Sequence, residues 1–201
     1  MACDNICAAV LNNLVYSCDN KSVGGLVQTV KLINRCDLEP GDWTLTRNMT
    51  SLACSHLIAY SGTDPATLNG VAVQGIPGKR LLSASFTSSN TDYGWYWTHI
   101  VNLFSQGLTR EAICNLKALG EGAELIAIVE QNFKGTNSQD AFMVYGWDAG
   151  LKLGDFTYNS NENNGNSVIP LTSIDPDLEP YPPMVLFMTD YATTKTFFDT
   201  L

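Results

Sequence analysis

The chain has 201 residues, of which 45% are hydrophobic and 15% charged, and its 11 Lys and Arg oppose 20 Asp and Glu for a formal net charge of −9. This composition excludes a disordered tail and a protein that grips duplex DNA through clustered cations. No run approaches the roughly 18 apolar residues of a membrane-spanning helix. The length suits one domain, or one domain with an arm.

Residues 1–20 are predicted to form an N-terminal arm or a short helix, because apolar residues recur there at nearly helical spacing. Residues 21–201 are predicted to form a single β-rich domain. The N-terminal segment lacks the basic region and the uninterrupted apolar run of a secretory signal, which predicts synthesis without export.

The first half of the domain combines strand-forming segments with one long loop. Residues 26–34 are rich in β-branched side chains and predict a strand, and residues 44–60 predict one or two more. Residues 61–78 carry repeated Gly and Pro, which predict a long exposed loop with at most a short strand at 71–73.

The second half is more regular. Residues 80–87 and 95–104 predict two strands joined by a polar turn at 88–92. Thr109 is placed as the N-cap of a helix of about eleven residues that stops at Gly120. Further strands are predicted at 124–130, 141–145, 151–158, 167–172 and 184–188. The last ten residues predict a helix or a strand.

This pattern predicts a mainly β fold, either a β-sandwich or a partly closed barrel, with one internal helix and an extended arm and loop for assembly. Many short strands separated by turns every 8–12 residues are typical of such folds. Pro170 interrupts a predicted strand and indicates an edge position or a bulge.

The cysteines show none of the paired spacing of zinc sites. They are Cys3, Cys7, Cys18, Cys36, Cys54 and Cys114. Free, buried cysteines are the favoured interpretation in a reducing compartment. The alternative is a crosslink or a metal among the first three.

Histidine and glycine motifs do not define a catalytic site. A dyad of Cys54 with His56, or of Cys114 with His99, is compatible with nucleophilic chemistry, but an ordinary buried Cys and His are favoured. The segment 75–79 lacks the first glycine of a phosphate-binding loop, and no nucleophile elbow is present. We therefore predict a protein that is not an enzyme, with no catalytic residue, bound metal or cofactor.

Three carboxylates lie close together on a proline-rich segment, at Asp175, Asp177 and Glu179. They favour a solvated acidic turn, and a Ca²⁺ site is the alternative. On a strand, Trp95 and Trp97 point to one side and Tyr96 to the other. This run favours packing in a core or an interface, and a sugar-stacking platform is the alternative.

Four stretches of sequence carry a family resemblance. They are residues 24–34, 125–135, 141–151 and the polar loop with Gly165 that precedes 169–171. Together they resemble virion proteins of tailed phages that infect Bacteroidetes and, within that group, the tail tube (major tail) proteins. The resemblance extends over about half of the chain.

The resemblance implies a β-sandwich with a flanking helix, assembled as six copies in each ring of a tube that conducts DNA. The arm at 1–20 and the loop at 37–78 are the expected contacts between rings, and a negative lumen would repel passing DNA. The partners would be the protein itself and other virion proteins, with DNA as unbound cargo and no membrane insertion. The expected location is the virion, after synthesis in the host cytoplasm without a signal peptide.

Two other functional classes remain open. One keeps the protein in the virion, at the head–tail connector or on the capsid surface. The other is a β-sandwich that binds carbohydrates or a receptor. An enzyme using Cys54 and His56 ranks last.

Overall fold

The computed structural model describes residues 24–48, 55–76, 81–91, 94–161, 165–174 and 176–201. These residues form eleven strands in two sheets, together with two α-helices. The predicted arm at 1–20 and the cysteines Cys3, Cys7, Cys18 and Cys54 lie outside the described residues. Cys36 and Cys114 are free but exposed, so the expected burial is wrong for these two.

The larger sheet has seven strands. They are β1 (Leu26–Asn34), β2 (Trp43–Asn48), β3 (Ser55–Tyr60), β4 (Val71–Gln74), β7 (Leu125–Gln131), β8 (Phe142–Tyr145) and β11 (Met184–Leu186). Their order across the sheet is β2-β3-β11-β8-β7-β1-β4. All neighbouring pairs are antiparallel except β11 and β3, which run parallel.

The smaller sheet has four antiparallel strands. They are β5 (Ser83–Thr91), β6 (Gly94–Ser105), β9 (Lys152–Leu153) and β10 (Ser167–Thr172), in the order β5-β6-β10-β9. The helices are α1 (Arg110–Gly120) and α2 (Tyr191–Thr200). Neither sheet closes into a barrel, so the sandwich is the correct member of the predicted pair of folds.

A first core lies between the two sheets. Val30 on β1 and Val129 on β7 pack with Val101 on β6 and Leu171 on β10, and all four side chains are fully buried. Alternate residues of β1 and β7 point the other way, into a second core. Both faces of the central strands are therefore covered, which explains the unbroken apolar run of β7.

The second core lies under the C-terminal helix. Phe197 and Phe198 of α2 pack on Ile58 and Phe142 of the larger sheet, and the rings of Phe142 and Phe198 are 5.2 Å apart. Asp190 caps the helix, because its carboxylate accepts a hydrogen bond from Thr193 N–H at 2.7 Å. The chain end is thus a helix, in addition to the internal one.

Most predicted elements are confirmed. The strands at 26–34, 124–130, 141–145 and 167–172 appear within one or two residues of their expected bounds, and 44–60 forms the antiparallel pair β2 and β3. Thr109 caps α1, since its hydroxyl accepts a hydrogen bond from Ala112 N–H at 3.2 Å.

Three predictions need correction. The polar turn expected at 88–92 is wrong, because residues 88–91 continue β5 and pair with residues 94–97 of β6. The loop at 61–78 is not wholly exposed, since it holds a 3₁₀ turn, Pro65–Leu68, with Leu68 buried, followed by β4. The strand at 151–158 contracts to Lys152–Leu153.

Pro170 explains the short length of β9. Its carbonyl accepts a hydrogen bond from Gly154 N–H at 2.9 Å, on the side of β10 that faces β9. A proline has no N–H to return to that side, so the ladder ends there. Pro170 therefore lies on an interior strand, but where the neighbouring strand stops.

Candidate functional site

The candidate site is the outer edge of the β5–β6 hairpin. Strand β5 is the first strand of the smaller sheet, and within the described residues no other strand pairs with its outer side. Its sequence, SASFTSSNT, has no charged residue and no proline over nine positions. Natural edge strands normally carry lysine, proline or a bulge, because an unguarded edge offers free N–H and C=O groups to another chain.

One face of this hairpin changes from buried core to exposed aromatic surface. Val101 and Leu103 of β6 point into the core between the sheets. Farther along the same face, Phe86 is 44% exposed and Trp95 is 63% exposed. The rings of Phe86 and Trp97 lie 5.6 Å apart. Of the two expected placements, a core or an interface, the core is therefore wrong for Trp95, and its exposed side chain is open to a partner.

A short bridge fixes the exposed end of the hairpin. Trp97 N–H donates to the Glu179 carbonyl at 2.8 Å, and Glu179 N–H donates back to the Trp97 carbonyl at 2.9 Å. The Glu179 side chain is 1% exposed, and its carboxylate accepts hydrogen bonds from Asp148 N–H and Ala149 N–H, each at 3.0 Å. The hairpin is thus tied to the turn that follows β8.

The predicted acidic turn does not form a cluster of carboxylates. Asp175 lies outside the described residues, Asp177 pairs with Lys152 at 2.8 Å, and Glu179 is buried rather than solvated. No group of three or more His, Cys, Asp or Glu in the described part of the chain is placed to hold a metal ion. Burial raises the pKa of Glu179, and the hydrogen bonds from Ala149 and Asp148 oppose that rise.

His99 is a buried structural residue of this same region. Gly146 N–H donates to its Nδ1 at 3.1 Å, so the proton is on Nε2, which donates to the Tyr181 carbonyl at 3.1 Å. Both ring nitrogens are taken by the main chain, which leaves none for the exposed Cys114. The Cys114–His99 dyad is therefore not formed.

The second predicted dyad is only half described. His56 Nε2 lies 3.0 Å from the Pro182 carbonyl, while its proposed partner, Cys54, falls outside the described residues. Beside it, the Arg47 guanidinium lies over the Tyr181 ring at 4.5 Å and pairs with Asp148 at 2.7 Å. The segment 179–182 is thus held by groups from both sheets.

Acid is expected to destabilise the protein through His99. Burial lowers the pKa of His99 from 6.5 to about 4. The unfolded state then binds the extra proton first, so stability is complete above pH 6.5 and is lost as the pH falls towards 4. The 2.5-unit difference corresponds to a loss of about 3 kcal/mol in the free energy of unfolding. Urea denaturation at pH 7 and pH 4 measures this loss.

The matched comparison is His99→Gln, whose stability should fall less between these pH values. NMR titration of the wild-type His99 ring provides a direct readout, with no chemical-shift change expected above pH 5. A midpoint near 6.5 would contradict this account.

The fold and the site define a two-sheet β-sandwich with two α-helices. Its longest edge strand, β5, is unguarded within the described residues and lies beside an exposed aromatic face. No family model, curated protein or solved structure matches the chain. Within the described residues, neither helix is long and apolar enough to cross a membrane.

Proposed function

We propose that the protein is a structural virion protein that self-assembles into rings of a phage tail tube, a conduit for DNA. The observation that carries the proposal is the uncharged nine-residue edge of β5, beside the exposed rings of Phe86 and Trp95. Such an edge favours addition of a strand from another copy, because main-chain hydrogen bonds then continue the sheet.

A closed ring needs two different patches on each copy, since head-to-tail contacts are heterologous. The larger sheet also ends in open strands, β2 and β4, within the described residues. Strand β2 is the longer of the two, with six residues, Trp43–Asn48. We therefore expect β5 of one copy to lie against β2 of the next.

The charge of the chain supports a conduit for DNA. With 20 acidic against 11 basic residues, the net charge is −9, so an assembled tube repels the phosphate backbone. The segments that resemble tail tube proteins, 125–135 and 141–151, include β7 and β8 in the middle of the larger sheet. The resemblance in these two segments thus lies in the larger sheet, on which the β5–β6 hairpin packs, and not in the hairpin itself.

Electron microscopy of the purified protein, and of the particle from which it comes, tests this proposal. Six-fold rings around a pore of DNA width are expected, with the protein present in many copies per particle. A connector or capsid-surface position would give a different copy number or no stacked rings. A strictly monomeric protein that is absent from virions would refute the proposal.

A carbohydrate- or receptor-binding sandwich is the second candidate, favoured by the 63% exposure of Trp95. In that case, Trp95→Ala removes binding on a glycan array because an exposed indole stacks on a sugar ring. Ile113→Ala is the control, since Ile113 is an exposed apolar residue on α1. Binding that survives Trp95→Ala, or no binding by the wild type, would leave the assembly proposal alone.

A further inference from the structure

An apolar groove runs between α1 and the open side of the sandwich. It encloses a cavity of about 280 Å³. Residues from both sheets and from the helix line it, among them Leu32, Val71, Leu103, Ile169, Ala118 and Leu119. No Lys, Arg, Asp or Glu contributes to the lining. Four uncharged polar residues, Asn34, Asn69, Ser105 and Asn115, also line it, so the groove favours an occupant that is uncharged and largely apolar.

Helix α1 does not fill the groove with its own side chains. None of its residues is buried, and of those that line the groove, Ala112, Asn115, Ala118 and Leu119, only Leu119 has a large apolar side chain. An amphipathic helix normally gains its stability by burying its apolar side. The packing of α1 is therefore incomplete without a further segment.

An open strand edge runs beside the groove. Strand β4 ends the larger sheet and, among the described residues, pairs only with β1. Its sequence, VAVQ, is uncharged, and Val71 is 56% exposed. A segment placed here gains both main-chain hydrogen bonds and an apolar surface.

We infer that residues 5–16 of the same chain occupy this groove, in place of the contact between rings that the resemblance implies for the arm at 1–20. The segment reads NICAAVLNNLVY, with nine apolar residues and no charge among twelve. It matches the uncharged lining, and burying it removes apolar surface from water on both sides.

The connection to the rest of the chain is long enough. The described chain begins at Gly24, whose carbonyl accepts a hydrogen bond from the Asn132 side chain at the start of β1. The near end of the groove lies at Val73, which pairs with Val30 of β1, six residues from Gly24 and about 20 Å away at about 3.3 Å per residue. The seven residues 17–23 can span about 27 Å between residues 16 and 24. A return path runs along β4, because Gln74 lies opposite Thr29 and Val71 opposite Leu32.

Hydrogen exchange of the full chain, read by mass spectrometry, tests this inference. In the wild type, residues 5–16 should exchange at least about tenfold more slowly than an unstructured peptide of the same sequence. Ala118→Trp fills the groove from α1 and should abolish that protection. Ala192→Trp places the same side chain on the exposed side of α2 and should leave it unchanged.

A second variant avoids any change in the sandwich. Leu11→Asp with Val15→Asp puts two charges in the segment, and should speed exchange in α1 and β4 as the groove opens. Equal exchange of residues 5–16 in the wild type and in Ala118→Trp would overturn the inference. So would protection that appears only as protein concentration rises, which would identify a second copy as the occupant.

Discussion

Two lysines on β5, introduced as Ser85→Lys and Thr87→Lys, are expected to weaken ring formation and shift the protein towards a folded monomer. Both side chains are exposed, on the face of the hairpin opposite Phe86. If another strand paired with this edge, the two lysine ammonium groups would lie against it without a partner. Natural edge strands carry lysine for this reason, because it prevents association. We expect association to weaken by about 10- to 100-fold, or about 1.4–2.8 kcal/mol.

Light scattering after size-exclusion chromatography, followed by electron microscopy, measures this effect. The control is Ala192→Lys with Thr196→Lys, which adds the same charge to exposed positions on α2. If the β5 variant forms rings as readily as the wild type, β5 is not the assembling edge. If both variants lose rings, the change in net charge is responsible rather than the edge.

Segments whose local sequence matched their final environment were predictable. Strands β1 and β7 are rich in β-branched and aliphatic residues and lie at the centre of the sheet. The Thr109 cap and the helix that follows it depend only on contacts within one turn. Elements of this kind can be predicted from their own sequence, without knowing which distant residues they contact.

The elements that were missed depend on distant partners. Residues 88–91 have the Ser and Asn of a turn, but pairing with β6 extends them as a strand. The shortening of β9 follows from the missing N–H of Pro170, seventeen positions away from Leu153. No pattern within either segment indicates these outcomes.

The candidate site was only partly visible in the sequence. The aromatic run at 95–97 lies on the hairpin of the candidate site, but no pattern within the run distinguishes the 63% exposure of Trp95 from burial in a core. The sequence does contain an indication of the unguarded edge, because the nine residues of β5 include no charged residue and no proline. The expectation of a solvated Glu179 is wrong, because the N–H groups that bind its carboxylate come from residues 148 and 149, 31 and 30 positions earlier.

Glu179→Ala is expected to lower the free energy of unfolding by about 3–5 kcal/mol, because it leaves buried N–H groups without an acceptor. Those groups belong to Asp148 and Ala149, in the turn that connects the hairpin to the larger sheet. Glu179→Gln keeps one acceptor oxygen and should cost about 2 kcal/mol. Since burial already raises the pKa of Glu179, the charge itself is unfavourable there, and the Gln variant also removes that penalty.

Urea denaturation of the three proteins at pH 7 measures these differences. Asp177→Ala is the matched control, because its carboxylate lies two positions earlier in an exposed pair with Lys152 and should contribute less than about 1 kcal/mol. A loss below about 1 kcal/mol for Glu179→Ala would mean that water satisfies the turn instead. If Glu179 does hold the turn, loss of its carboxylate leaves the main-chain bridge at Trp97 without its link to residues 148 and 149. Ring formation should then decline in Glu179→Ala even where the variant remains folded, because the β5 edge is no longer held in one orientation.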